Sequence, residues 1–168
     1  MSNLAACLEA LSALGIQYDL VRHAPLDTME KCREAERLLN VTVPRNIFLC
    51  TSNQKQLALL TLSADAPFRT AVISPQAGLS RLSFAPEQLI GPCLGCYAGA
   101  VSPLGLMYDR EGRVRFLLDE ALLQRKHLGF HPLDNTATVK IETEAFINVF
   151  LPSTGHAPRL VRTGALRA

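Results

Sequence analysis

No apolar run in this 168-residue sequence approaches the ~18 residues needed to cross a bilayer. The opening stretch MSNLAACLEALSALG carries an acid and lacks the basic start of a secretion signal. A soluble, cytoplasmic protein with no membrane partner is therefore expected. Neither sign of charge dominates: charged residues make up 19%, and the net charge is +2. An extended nucleic-acid footprint usually comes with a stronger basic excess, whereas a small anionic ligand is permitted. Five cysteines is an odd number for a chain without a secretion signal, which favours reduced thiols over a disulfide framework.

The usual catalytic signatures are missing too. There is no GxxxxGK[ST] phosphate loop, no GxGxxG turn and no G-x-S-x-G elbow. A serine or cysteine nucleophile needs a paired histidine, and no local sequence supplies one. Cys93-Leu94-Gly95-Cys96 has the spacing of half a zinc site or a redox pair. No second CxxC and no His-x-x-x-His completes it. It also follows an expected helix rather than opening one, so it reads as two ordinary small residues. No metal and no cofactor are expected.

What is present suits one domain spanning residues 1–168, since 48% of the residues are hydrophobic. Ser2 caps a helix whose Leu4, Leu8, Leu11 and Leu14 share a face and which Gly15 ends. Ile16, Tyr18 and Leu20 alternate as a strand that stops near His23-Ala24-Pro25. Asp27-Thr28-Met29-Glu30 reads as a capping box for a helix to about Leu39. Asn46 to Cys50 and the buried run Leu57 to Leu62 read as strands around a polar turn at Ser52–Lys55. Pro67 and Pro75 break the next stretch, and Pro86-Glu87 starts a short helix. Leu106–Tyr108 and Arg113–Leu118 flank Asp109–Gly112 as a second hairpin, with Val114, Phe116 and Leu118 facing one way.

Asp119 starts another short helix. Thr136 to Ile141 alternates as a strand. Thr143-Glu144 opens a helix with Phe146, Val149 and Phe150 inward, and Arg159–Val161 is a last edge strand. The expected fold class is α+β, a mixed and mostly antiparallel sheet wrapped by helices.

Four short segments could carry chemistry. In Phe130-His131-Pro132-Leu133-Asp134-Asn135, a histidine sits at a stiff, polar corner. Of His23, His127, His131 and His156, it is the strongest functional candidate. His127 reads as solvated beside Arg125 and Lys126, and His23 and His156 lie by prolines in loops. In Gly99-Ala100-Val101-Ser102-Pro103-Leu104-Gly105, two glycines bracket a Ser-Pro turn. Its backbone N–H groups can approach a carbonyl or phosphate oxygen, or it is simply a tight turn. Arg45-Asn46 opens a strand after Pro44, either to grip a phosphate or as an exposed edge charge. Arg81-Leu82-Ser83-Phe84 offers an arginine that binds an anion or pairs with Glu87.

Pro44-Arg45-Asn46-Ile47-Phe48-Leu49, Arg81-Leu82-Ser83-Phe84-Ala85, Gly99–Leu106 and Phe130–Asn135, in that order, resemble the YbaK/prolyl-tRNA-synthetase-associated editing domains. The resemblance is nearest to their free-standing prolyl-tRNA editing branch and runs from the Tyr18–Pro25 strand to Gly155-His156. It implies hydrolysis of the ester of a mischarged tRNA, typically alanine on tRNA for proline. A bound water attacks with help from the substrate's ribose hydroxyl, without metal, cofactor or enzyme nucleophile. The implied partner is the acceptor end of an aminoacylated tRNA, and transient contact with prolyl-tRNA synthetase or an elongation factor is compatible with it.

Residue by residue, the resemblance makes Gly99, Asn46 and His131 the catalytic set. Gly99–Pro103 matches the family's GxxxP loop, with Ala100, Val101, Ser102 and Pro103 as substrate-binding positions. His131 matches the histidine of the aminoacyl pocket. Arg81 and Asn135 are further substrate-binding candidates, and residues from Thr28 to Cys32 help shape the pocket. One departure stands out: the family pair is usually Lys-Asn, and here it is Arg45-Asn46. Arginine keeps the charge but not the geometry, so a phosphate anchor survives the exchange and a single fixed donor does not. The same chemistry on cysteinyl- or seryl-tRNA, a tRNA- or ligand-binding regulator without turnover, and a general esterase for small substrates are the competing readings.

Overall fold

The computed structural model describes residues 2–26 and 29–164, with the backbone alone for Met29. The expected capping box at Asp27-Thr28 lies outside them. In chain order the regular elements are α1 (Leu4–Ala13), β1 (Asp19–Arg22), α2 (Met29–Leu39), β2 (Arg45–Thr51), β3 (Leu57–Leu62), α3 (Thr70–Ala77), β4 (Leu82–Phe84) and α4 (Ile90–Leu94). Then follow β5 (Val114–Asp119), β6 (His127–Phe130), β7 (Ala137–Glu142), α5 (Thr143–Ala145), α6 (Leu151–Thr154) and β8 (Arg159–Val161). Short 3₁₀ segments cover Glu87–Leu89, Ala98–Ala100, Pro103–Tyr108 and Glu120–Gln124, and a π turn at Phe146–Phe150 joins α5 to α6.

The strands form two sheets, one ordered β1-β7-β6 and one ordered β4-β2-β3-β5-β8. The three-stranded sheet is antiparallel. In the other, β2 is antiparallel to β3 and β4, whereas β5 runs parallel to β3 and β8. The α+β class and the mostly antiparallel pairing are thus as the sequence indicates.

The continuous apolar run of β3 has a direct cause. Every residue from Leu57 to Leu62 is buried, because β3 is central and covered on both faces. Leu57 and Leu59, with Phe48, Cys50, Val114, Phe116 and Leu118, face the larger core. Ala58, Leu60 and Leu62, with Ile47, Leu49 and Leu117, face a second core under α3. The alternation of Val114, Phe116 and Leu118 is as read. The three-stranded sheet adds Leu128, Phe130, Val139 and Ile141 to the larger core. Phe146 lies at its centre, with ring centroids 4.9 Å from Phe130 and 5.9 Å from Phe116 and Phe150.

Three expectations are corrected. Pro75 does not end regular structure but lies inside α3. An interior proline costs about 3 kcal/mol, and the complete burial of Ile73 and Ala77 on the second core offsets it. The second hairpin is absent. Leu106–Tyr108 belongs to a 3₁₀ segment that Ser102 caps and Pro103 opens, and β5 pairs in parallel with β3 instead. The Asp109 carboxylate accepts the N–H groups of Arg113 (2.9 Å) and Val114 (2.8 Å), so a side chain closes this loop. Finally, Val149 is 39% exposed while Phe146 and Phe150 are buried. The wider π turn between them rotates Val149 away from the core.

Candidate active site

A cleft of about 500 Å³ lies between α2, the start of β2, the loop after β3, the Ala98–Val101 turn and the end of β6. Among the residues lining it are Cys32, Arg45, Asn46, Gly99, Val101 and His131. Five segments of the chain therefore meet in one place, and local chemistry positions their polar groups.

Pro44 is buried and leads into β2, which leaves Arg45 exposed at the strand's first position and Asn46 half-buried at its second. Asn46 pairs across the ladder with Thr61, and the fully buried Thr61 hydroxyl donates to Asn46 Oδ1 at 2.6 Å. With that oxygen occupied, the Nδ2 hydrogens are the donors Asn46 can offer the cleft. The Arg45 guanidinium donates to the Ala66 carbonyl at 3.3 Å, which draws it toward the loop after β3.

The glycine loop is a single 3₁₀ turn, Ala98–Ala100, closed by Ala100 N–H donating to Tyr97 O at 2.8 Å. The first N–H groups of such a turn, at Ala98 and Gly99, have no acceptor inside it. Ala98, Gly99 and Val101 line the cleft, while Ala100, Ser102 and Pro103 are buried behind it. Ser102 caps the next 3₁₀ segment by accepting Leu104 N–H at 3.2 Å. A Cβ on Gly99 would lie 3.0 Å from Asn135 Nδ2, so this approach suits glycine. Asn135 thus stands against the loop rather than lining the cleft.

His131 directly follows β6 and is half-buried. Its Nδ1 lies 3.0 Å from the Ala137 carbonyl, across a turn in which Leu133 takes a positive φ of 67°. A carbonyl only accepts, so Nδ1 carries the proton and Nε2 presents a lone pair. Burial pushes the His131 pKa down, against the opposing pull of the Ala137 bond, which keeps the ring neutral at physiological pH. His23 stands edge-on to it, 6.4 Å between centroids, and is fixed by Nε2 on the Thr138 hydroxyl at 2.8 Å.

Tyr97 ties the two loops together. Its hydroxyl donates to Asn135 Oδ1 at 2.8 Å, with Asp134 Oδ1 at 3.2 Å, and accepts Asn135 N–H at 3.0 Å. Burial acts upward on Asp134, but hydrogen bonds from Ser2, Thr136 and Tyr97 outweigh it and hold the carboxyl at about 2.

Cys32 is the thiol in the cleft, and burial together with the Glu36 carboxylate raises its pKa. A protonated thiol is a poor nucleophile. Cys93 and Cys96 lie outside the cleft; burial raises both thiols, Cys96 to about 12. Among the described residues, no group of three or more His, Cys, Asp or Glu side chains is placed to hold a metal ion. No helix among them is long and apolar enough to cross a membrane.

Arg81 is exposed ahead of β4 and does not line the cleft. Thr28 lies outside the described residues. The sequence reading missed Tyr97 and His23 as supports of the site. It also missed the buried His156, whose Nε2 meets Asp109 Oδ2 at 2.8 Å near the end of β3 opposite the cleft.

The aminoacyl-tRNA editing domain family matches residues 23–149. The prolyl-tRNA editing protein ProX of Acetoanaerobium sticklandii is 31% identical over 145 residues, 86% of this chain and 88% of that one. The mouse (Mus musculus) prolyl-tRNA synthetase associated domain-containing protein 1 is 33% identical over 162 residues, 94% of this chain and 95% of that one. A solved structure described as a candidate trans-editing enzyme for prolyl tRNA synthetase superposes with a TM-score of 0.70. It is 16% identical and covers 96% of this chain and 98% of its own, so it speaks to the fold.

Proposed function

The chain belongs to the aminoacyl-tRNA editing domain family, and from that premise we propose that it acts, as one domain, as a deacylase of mischarged tRNA for proline, Ala-tRNA(Pro) foremost. The observation that carries this reading is the convergence of Asn46, Gly99, Val101 and His131 on one cleft that also holds the cationic Arg45.

In the proposed reaction, a water adds to the ester carbonyl carbon and the bond to the ribose oxygen breaks. The leaving oxygen takes a proton, and free amino acid and tRNA are the products. The N–H of Gly99 is suited to the oxyanion that forms on the carbonyl oxygen, and Asn46 Nδ2 adds a second donor from β2. Neutral His131 offers Nε2 as an acceptor, which orients the water or the amino group of the substrate. Its Nδ1 bond to Ala137 fixes the ring for that task. The substrate's neighbouring ribose hydroxyl is the nearest carrier for the proton in transit. Arg45 anchors the terminal phosphate. Cys32 acts as wall rather than nucleophile, in keeping with its raised pKa.

Such an enzyme works where charged tRNA is found, in the cytoplasm, between release from the synthetase and capture by an elongation factor. The test is a panel of tRNA(Pro) charged with alanine, serine, cysteine or proline. Preferential hydrolysis of the alanyl species supports the proposal. Preference for seryl- or cysteinyl-tRNA replaces the substrate but keeps the chemistry, and equal hydrolysis of simple alanine esters without tRNA favours a general esterase.

A further inference from the structure

We propose that the basic groove beside the cleft, between the outer face of α2 and the Arg125–His127 segment, is the track for the phosphate backbone of the tRNA strand whose end enters the site. This rests on the deacylase reading above and adds the surface by which the body of the substrate is held.

The groove has a volume of about 690 Å³ and is lined by Arg33, Arg37, Arg125 and Lys126 with Glu36 as its one carboxylate. It is continuous with the cleft, because Arg33, Glu36, Thr42 and Arg125 line both. A chain that leaves the cleft into this groove therefore meets Arg33 and Arg125 at the junction and Arg37 and Lys126 beyond it. The charge is not spent internally: among the described residues, the Arg162–Glu120 ion pair and the His156–Asp109 contact both lie elsewhere. All four cationic residues are exposed. A net charge of only +2 for the whole chain makes this concentration on one face more than a sample of average composition.

The fold builds the groove deliberately. Arg33 and Arg37 are four residues apart on α2, so they project from the same face. Asn40, with φ 50°, ends α2 in the left-handed conformation, and Val41 N–H returns to Glu36 O at 3.1 Å. The chain then lies against β6, with Gly129 N–H donating to Thr42 O at 2.9 Å. A Cβ at Gly129 would meet Val43 Cγ2 at 2.8 Å and Val41 Cγ1 at 3.0 Å, so this contact needs glycine. The close approach sets the α2 arginines facing Arg125 and Lys126 across the groove. Exposed cations on two facing walls fit a polyanionic strand, whose phosphates can touch both sides.

The test uses variants outside the cleft: the double charge reversal Arg37→Glu/Lys126→Glu and the conservative double variant Arg37→Lys/Lys126→Arg. Each is assayed for kcat/KM on Ala-tRNA(Pro) across a salt series, and on an alanylated trinucleotide too short to reach the groove. Anisotropy with uncharged tRNA(Pro) reads binding separately. The charge reversal should lower kcat/KM on the tRNA about tenfold at low salt and flatten the log–log salt slope by about 1 per lost phosphate contact. Activity on the trinucleotide should stay unchanged, and the conservative variant should match the parent. An unaltered salt slope and KM in the charge-reversed protein would overturn the groove. Equal loss on tRNA and trinucleotide would do the same, since it points to a disturbed fold or cleft. If the parent protein turns over neither substrate but binds tRNA in a manner the reversal abolishes, the groove stands and the deacylase reading falls.

Discussion

The hydroxyl of Tyr97 holds Asn135 at two points, donating to its side-chain oxygen at 2.8 Å and accepting its backbone N–H at 3.0 Å. One phenol thereby clamps the glycine loop to the turn that carries His131. Loss of that hydroxyl should loosen the site without dissolving the fold. Tyr97→Phe is expected to cost about 1 kcal/mol of stability in urea denaturation. It should reduce kcat for deacylation about tenfold or more, because misplaced groups are costly in catalysis. A variant with unaltered kcat would remove the clamp from the account of the site.

Gly99 tests the same junction from the other side. Its Cα faces Asn135 Nδ2, which a methyl group would approach to 3.0 Å. Gly99→Ala should push the loop out of register with the substrate carbonyl and lower kcat by roughly 100-fold, the scale of losing one oxyanion donor. The melting temperature should move little. Full activity in this variant would place the oxyanion donors elsewhere.

His131 predicts a pH profile. Its folded pKa lies below the unfolded value of 6.5, chiefly through burial. Between the two values the unfolded chain binds more protons, so stability declines as pH falls through that window and is unaffected above it. Activity should hold steady from neutral pH down to the lowered pKa and fall only below it, as the ring protonates and Nε2 ceases to accept. His131→Gln should abolish that acid limb and lower kcat/KM at pH 7 by about ten- to a hundredfold. An acid limb that survives the substitution would assign it to another group.

Cys32 is expected to be dispensable for chemistry. Burial and Glu36 keep it protonated, so Cys32→Ser should keep kcat within a few-fold of the parent, and single-turnover assays should show no acyl-enzyme burst. Loss of activity with trapping of an aminoacyl thioester on the parent protein would reverse this reading.

The opposite end of β3 supplies a contrast. Asp109 is 5% exposed and accepts bonds from Arg113 N–H, Val114 N–H and His156. Asp109→Ala leaves those buried donors without their acceptor and should destabilise the protein by about 3 kcal/mol, since each stranded donor costs roughly 1–3 kcal/mol. The kcat of the fraction that remains folded should be unchanged, as measured below the transition. A specific fall in kcat at full folding would couple this pair to the cleft.

These residues also show what a sequence can and cannot reveal. The two-sided burial of β3 is written in its unbroken apolar run, and the facing of β5 in the alternation of Val114, Phe116 and Leu118. The stiff corner around His131 and the glycines of the loop are local signals, so those candidates could be named. Tyr97 is 38 residues from Asn135, Asp109 is 47 from His156, and His23 is 115 from Thr138. Nothing local marks such partners, because the fold alone brings them together. The helix through Pro75 was hidden for the opposite reason: a strong local breaker is overruled by the burial of Ile73 and Ala77. Arg81 has a clear motif around it, yet the motif does not say which way an exposed side chain faces.

The central claim is that this cleft hydrolyses the aminoacyl ester rather than merely holding it. The direct measurement is the release of alanine from Ala-tRNA(Pro) at substoichiometric protein, with Pro-tRNA(Pro) in parallel. Many turnovers on the alanyl species, with the prolyl species spared, is the predicted result, and it would show that Arg45 serves where the resemblance leads one to expect lysine. Saturable binding of Ala-tRNA(Pro) with no release of alanine above the uncatalysed rate would contradict the account and leave a binding module in its place.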